Sequence, residues 1–255
     1  MLNIAIPLKS QPSRLSSLWM LFFMVLVAVP LAVIVNWRRG VVQEHAAARR
    51  LAELGGKINS LDGFYYKMGW LLPPNCDYQI TGYASGYVGE QCPVTAEVLT
   101  LLVQLPNMHT LQLSGEKQAA FSAAPLRGLS QLKYLSLSCG VNNEDVLAFH
   151  NQRSLKTLSL NNQPITDKCL SLAACNPGLK YLCLRDTPIT SDGLVHLAEL
   201  QDLQSLDLGG TGIDDRAIPH LVKLRGLTSL QTQRTQLTKA GRAQLKQMMP
   251  GCVVD

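Results

Sequence analysis

From residue 108 onward the apolar positions fall into a repeating pattern. Leucines alternate as Leu-x-x-Leu-x-Leu at Leu132, Leu135, Leu137; at Leu155, Leu158, Leu160; at Leu179, Leu182, Leu184; and at Leu203, Leu206, Leu208. Met108, Leu111 and Leu113 fit before them, and Leu227, Leu230 and Thr232 fit after, with the last apolar site lost. Six matches in phase, spaced 24, 23, 24, 24 and 24 residues apart, exclude coincidence and make a repeat architecture the first expectation. The alternation of period two within each match predicts a short strand.

The second half of each repeat changes period. Seven residues after the middle leucine comes Ile165, Ile189, Ile213 or Leu237, and Leu194 with Leu197, or Ile218 with Leu221, follow at a spacing of three. That spacing predicts a helical or 3₁₀ return. One strand and one return cannot bury their apolar faces alone, so stacked neighbours must complete a continuous core.

The stretch Leu179-Lys-Tyr-Leu182-Cys-Leu184-Arg-Asp-Thr187-Pro-Ile189-Thr-Ser-Asp-Gly193-Leu194-Val-His-Leu197 resembles the leucine-rich-repeat family, over about residues 84 to 255. It is most similar to the ribonuclease-inhibitor-like and bacterial members that carry a Cys or Thr ladder and true outer helices. The resemblance implies an α/β solenoid, with a curved parallel sheet on the inside and helices outside. It also implies a concave binding face, while leaving the ligand open.

The family's polar ladder position falls on Cys92, Cys139, Gln163, Thr187, Thr211 and Thr235. Short polar side chains there are expected to satisfy backbone groups inside the turn. Asp167, Asp192, Asp214 and Asp215 stand where the outer helices begin, and N-terminal capping is the expected role. Lys133, Lys156 and Lys180 share one repeat position and should form a column at the strand edge. Both a solvated edge defence and attraction to an acidic partner fit that column.

Some places break the pattern. Gln118 replaces the expected isoleucine within the irregular run from Gly115 to Pro125, which reads as a bulge or loop. Residues 58–83 do not repeat and are rich in aromatics, including Phe64, Tyr65, Tyr66, Trp70 and Tyr78, which suits a cap over the first repeat. Residues 84 to 107 read as a degenerate first repeat. Leu245, Met248 and Met249 lead into a short closing segment ending at Asp255.

The N-terminal part has a different character. Leu18 to Val35 is an uncharged, almost wholly apolar run of ~27 Å as a helix, close to the ~30 Å hydrocarbon core. Trp19 and Trp37 bracket it, and Arg38 and Arg39 end it. A cleaved signal segment competes, with Lys9 and Arg14 as its basic region, but no small-x-small site follows the run. A retained transmembrane anchor is therefore expected. Val41 to Leu54 then predicts a helix, stopped at Gly55-Gly56 and read as a solvated linker. The organisation expected is a tail at 1–17, an anchor at 18–36, a juxtamembrane helix at 37–57, an aromatic cap at 58–83 and repeats at 84–255. Arg38, Arg39, Arg49 and Arg50 outweigh Lys9 and Arg14, which places a single-pass chain with its repeats in the cytoplasm.

Composition narrows the function. The chain is 47% hydrophobic and 16% charged, which excludes a disordered chain. The net charge of +5 is spread along the chain without a basic block, so nucleic acid is not an expected partner. Seven cysteines without a Cys-x-x-Cys pair suit buried free thiols in a reducing compartment rather than a disulfide framework or a zinc site. No phosphate loop, nucleophile elbow or metalloprotease motif occurs, and His196 and His220, 24 residues apart, share a helix position through the repeat alone. No enzyme, cofactor or metal is expected.

Binding is expected on the residues that alternate with the core leucines. Tyr134, Tyr181, Arg185 and Asp207 stand out there among small neutral side chains, and Tyr and Arg are favoured at interface centres. Arg185 and Asp207 are close enough in register to pair with each other. The function expected is a membrane-anchored protein-interaction scaffold whose partner's identity is open. The alternatives are an inhibitor or regulator of a particular enzyme, disfavoured by the lack of an acidic column, and a structural envelope protein.

Overall fold

In the computed structural model, the described residues are 29–54, 58–60, 78–83, 95–105, 108–114, 122–149 and 152–255. The chain divides into two compact units, Met1–His45 and Ala46–Asp255. The second carries the repeats.

Nine strands among the described residues form one sheet in strict chain order. They are β1 (Ile58–Ser60), β2 (Tyr78–Tyr83), β3 (Met108–Ser114), β4 (Tyr134–Ser138), β5 (Thr157–Ser159), β6 (Tyr181–Cys183), β7 (Ser205–Asp207), β8 (Ser229–Gln231) and β9 (Val253–Val254). From β2 to β9 every pairing is parallel. The register joins the leucines in a row, Leu111–Leu135–Leu158–Leu182–Leu206–Leu230. All six are buried, as are the third apolar residues Leu113, Leu137, Leu160, Leu184 and Leu208. Thr232, where the apolar site is lost, is also buried, and its hydroxyl donates to the Asp255 carbonyl at 2.7 Å.

The returns are shorter than the true helices that the resemblance implied. They are α-turns, α3 (Asn143–Leu147), α4 (Lys168–Ala173) and α5 (Ile218–Leu221), and 3₁₀ segments at Ala124–Gly128, Asp192–Glu199 and Asp215–Ala217. A 3₁₀ turn rises ~2.0 Å per residue against ~1.5 Å for an α-helix, so it closes a 24-residue circuit with fewer residues. Among the described residues only the last return, α6 (Lys239–Met248), runs to ten residues, and it buries Leu245.

The start of the repeat unit departs from expectation in two ways. Within the stretch 58–83 the described residues extend the sheet, since β2 is the parallel neighbour of β3 and β1 adds to β2 as an antiparallel edge. The strand of the first repeat is therefore β2, ahead of residue 84, and α2 (Ala96–Val103) is its return. Phe64, Tyr65, Tyr66 and Trp70 lie outside the described residues.

The second departure concerns α1 (Val29–Glu53), one unbroken helix running through the expected boundary at residues 36 and 37. Its last turns are not a solvated linker: Ala47 and Leu51 belong to the buried core, and Arg50 pairs with Glu97 of α2 at 3.0 Å. Spacing of four residues puts Ala47 and Leu51 on one helix face, which supplies apolar cover for the end of the stack. Among the described residues no helix is long and apolar enough to cross a membrane. Residues 18–28 of the expected anchor, and Gly55 and Gly56, lie outside the described residues.

Candidate functional site

The polar ladder tightens each repeat before it presents a face. Thr187, Thr211 and Thr235 each donate a hydroxyl hydrogen bond to the carbonyl three residues back, at 2.6, 2.6 and 2.7 Å. Gln163 does the work of two groups. Its Oε1 accepts from the amides of Gly140 and Val141, while its Nε2 donates to the Asn161 carbonyl. Cys139 is buried at the equivalent place. The turns that follow place Gly140, Asn162, Asp186, Gly210 and Arg234 in left-handed backbone, one per repeat. The amides of Asn162, Asp186 and Gly210 donate onward to Arg185, Gly209 and Gln233, so the ladder continues past the three-residue strands.

The open face of the sheet is built in three rows. The first row runs Tyr134–Thr157–Tyr181–Ser205–Ser229. Strands lie ~4.8 Å apart, so the two tyrosines stand ~10 Å apart at one level. Tyr134 is half-buried. Tyr181 is 46% exposed, and its hydroxyl donates to Gln204 Oε1 at 3.3 Å. The second row runs Ser136–Ser159–Cys183–Asp207–Gln231. Ser136, expected on the face, is buried.

The third row, Arg185–Gly209–Gln233, meets the charge of Asp207 in the second. Arg185 Nε donates to Asp207 Oδ2 at 3.1 Å, and Arg185 Nη2 donates to Gln233 Oε1 at 2.8 Å, two repeats away. Gln233 Nε2 in turn donates to Asp255 Oδ2. Gly209 lies under the crossing arm, and a Cβ there would stand 3.2 Å from Arg185 Nη2 and 3.1 Å from Asp207 Oδ1. Hydrogen bonding to Asp207, then its charge, raises the Arg185 pKa further. Cys183 Sγ donates to the same Asp207 oxygen at 3.4 Å, and burial followed by that carboxylate pushes its thiol up.

The structure therefore sorts the four expected face residues into two kinds. Tyr134 and Tyr181 share a row, with Tyr181 the more open. Arg185 and Asp207 are committed to each other, with side chains 33% and 15% exposed, so they form a fixed polar border rather than free donors. Gln204 and Gln233, which complete the site, were not singled out in the sequence. Their signal was positional, since they sit 24 residues after Lys180 and 48 after Arg185.

Of the expected capping aspartates, Asp214 caps as its position suggested, while two others reach along the stack. Asp167 and Asp215 bind Thr190 and Thr238 of the following repeat. Asp214 alone of the four is the observed cap, accepting from the amide of Arg216 at 3.1 Å. Asp192 is exposed beside Arg216. A carboxylate leaning along the stack reaches the next repeat's threonine, which offers both a hydroxyl and an amide, and so it holds two repeats at once.

Among the described residues, no group of three or more His, Cys, Asp or Glu is placed to hold a metal ion. Of the cysteines there, Cys139, Cys169, Cys175, Cys183 and Cys252 are free. An open hollow of about 610 Å³ lined by Asn142, Asn143, Glu144, Leu147, Lys168 and Ser171 lies on the outer returns, away from the tyrosine row.

No protein-family model and no curated protein sequence matches the chain. Among solved structures it is similar to a leucine-rich-repeat protein of Leptospira interrogans, with 20% identity and a TM-score of 0.49 over 61% of this chain and 39% of that one. It is similar to an internalin of Listeria monocytogenes, with 19% identity and a TM-score of 0.43 over 61% and 49% of the two chains. Internalin C2 of the same organism gives 22% identity and a TM-score of 0.48 over 65% and 77%. The chain spans less than half the length of the first two.

Proposed function

We propose that this chain is a membrane-held protein-interaction module that seats a protein partner on the open face of its repeat sheet. The contact centres on Tyr181 and Tyr134, and the Arg185–Asp207 pair forms its border. One observation supports this reading above the others: Tyr181 is a large side chain, 46% exposed, on the first row of the open face, with the small residues Thr157 and Ser205 as its neighbours in that row. Tyrosine offers wide contact area at low entropy cost, and a pre-formed ion pair adds orientation without having to be ordered on binding.

The holding element in this proposal is the apolar run within 18–36, with the repeats on the cytoplasmic side. The arginines at 38, 39, 49 and 50 support that side. A module of this kind binds and positions its partner and performs no chemistry of its own.

The test is site-specific photo-crosslinking in membranes of the cells that make the protein. A benzophenone side chain at position 181 should form one discrete adduct, and the same probe at Val195 on an outer return should not. An adduct at 195 alone places the partner on the outer side and ends the reading. Release of the full chain by alkaline carbonate ends the membrane part of it.

A further inference from the structure

Basic and acidic groups are distributed unequally between the two ends of the strands. Beyond the strands' C-terminal ends the arginines are neutralised. Arg185 pairs with Asp207, Arg234 with Asp186 at 2.8 Å, and Arg216 with Asp214 at 3.0 Å. At the strands' N-terminal ends stand Lys133, Lys156 and Lys180, with Asp202 lining the same hollow as Lys180. Among the described residues none of these three has a carboxylate within ion-pair distance.

The backbone fixes these lysines in a column. The Lys133 carbonyl accepts from the amide of Lys156, and the Lys156 carbonyl accepts from that of Lys180, both at 2.8 Å. Consecutive strands put the three backbone positions ~4.8 Å apart, so three cationic side chains leave one strand edge side by side. Lys156 Nζ donates to the Gly178 carbonyl at 3.2 Å, so its charge is drawn towards the loop before Lys180.

The column also adjoins the tyrosine row. Lys133 precedes Tyr134 and Lys180 precedes Tyr181. The Tyr181 hydroxyl reaches Gln204, the residue that follows the lysines in the column, whose amide donates to the Lys180 carbonyl. Ring and rim are one continuous surface there.

We propose that the Lys133–Lys156–Lys180 column receives an acidic, extended segment of the protein partner, lying across the strand ends with its carboxylates on the lysines and an adjoining apolar group on Tyr181. The proposal rests on the open-face reading above and names the chemistry of its partner. The electrostatic share should make capture strongly dependent on salt.

The test uses the full chain in neutral detergent and a fluorescent oligoglutamate peptide of about eight residues, long enough when extended to span three strands. The triple variant Lys133→Gln, Lys156→Gln, Lys180→Gln should weaken peptide binding at least about tenfold and flatten its salt dependence. A variant with Lys168→Gln, Lys239→Gln and Lys246→Gln loses the same charge from the outer returns and should bind as the unaltered chain does. Equal weakening in both variants means that net charge alone acts, and overturns the proposal. Glycerophosphoserine displacing the peptide at equal concentration makes the rim a phosphate site and also overturns it. Crosslinking at position 181 separates the two readings. A discrete adduct there with no effect of the rim triple variant sinks the acidic-segment proposal alone, whereas no adduct at 181 sinks the open-face reading.

Discussion

Asp167 takes both polar hydrogens of Thr190 in the following repeat, the amide at 2.9 Å on Oδ1 and the hydroxyl at 2.6 Å on Oδ2. Asp215 holds Thr238 in the same way at 2.9 and 2.7 Å. Each clamp needs a glycine three residues beyond its threonine. A Cβ on Gly193 would stand 2.3 Å from Asp167 Oδ1, and one on Gly241 2.1 Å from Asp215 Oδ1. The Thr-x-x-Gly spacing in two repeats is thus the imprint of a neighbouring repeat's carboxylate.

That relationship predicts non-additive mutations. Gly193→Ala should cost ~1–3 kcal/mol by overpacking, and Asp167→Ala about 1 kcal/mol for the partly exposed clamp. The double variant should be at least ~1 kcal/mol more stable than the sum, because removing the carboxylate frees the space that the methyl group needs. Urea unfolding of the four proteins measures this, and strict additivity would show that clamp and glycine are unrelated.

Leu182 and Leu206 occupy the centre of the leucine row, 2% and 0% exposed. Either leucine truncated to alanine should cost ~2–5 kcal/mol, through lost burial and the cavity left behind. Stacked repeats lean on their neighbours, so hydrogen exchange should accelerate in both flanking repeats and not only at the site. A loss under ~1 kcal/mol would contradict the register.

Asp214 gives the fold an acid-sensitive contact. The Ser191 hydroxyl, at 2.7 Å, and then Arg216 hold its pKa below the ordinary 3.8. A depressed folded pKa means that the stabilisation is complete above 3.8 and disappears as pH falls through the lower folded value. Asp214→Asn should therefore be less stable than the unaltered chain at neutral pH, and the two denaturation curves should converge in acid. A gap that stays constant down to strong acid would remove the carboxylate from the explanation.

Burial pushes the Cys139 and Cys169 thiols up to about 12, while Cys175 is exposed. At mildly alkaline pH iodoacetamide should label Cys175 readily and reach Cys139 and Cys169 only on unfolding. The raised folded values also predict alkaline weakening. Stability is full below the unfolded thiol value of 9.0 and falls as pH rises towards about 12, because only the unfolded chain loses those protons. Cys139→Ser with Cys169→Ser should reduce that slope in the stability–pH curve.

Much of this molecule was legible in one dimension. A strand's core residues are set by alternation and a stack by its period, so Leu111 to Leu230 could be placed in register, and the positions of Tyr134 and Tyr181 on one row followed from counting. The Thr ladder was readable for the same reason, since its hydroxyls bond within three residues of themselves. Contacts between repeats were not readable. Whether Asp167 caps its own helix or reaches Thr190 depends on where the next repeat sits, and only stacking at strand spacing brings that threonine within 3 Å. The same holds for Arg185, whose arm crosses Gly209 to Gln233 because the intervening residue has no side chain. It holds also for Ala47 and Leu51, which look solvated in a helix rich in alanine and arginine until the end of the stack needs covering. Local periodicity determined the repeat and its face; the partners of the polar side chains were decided by packing between segments that the periodicity treats as identical.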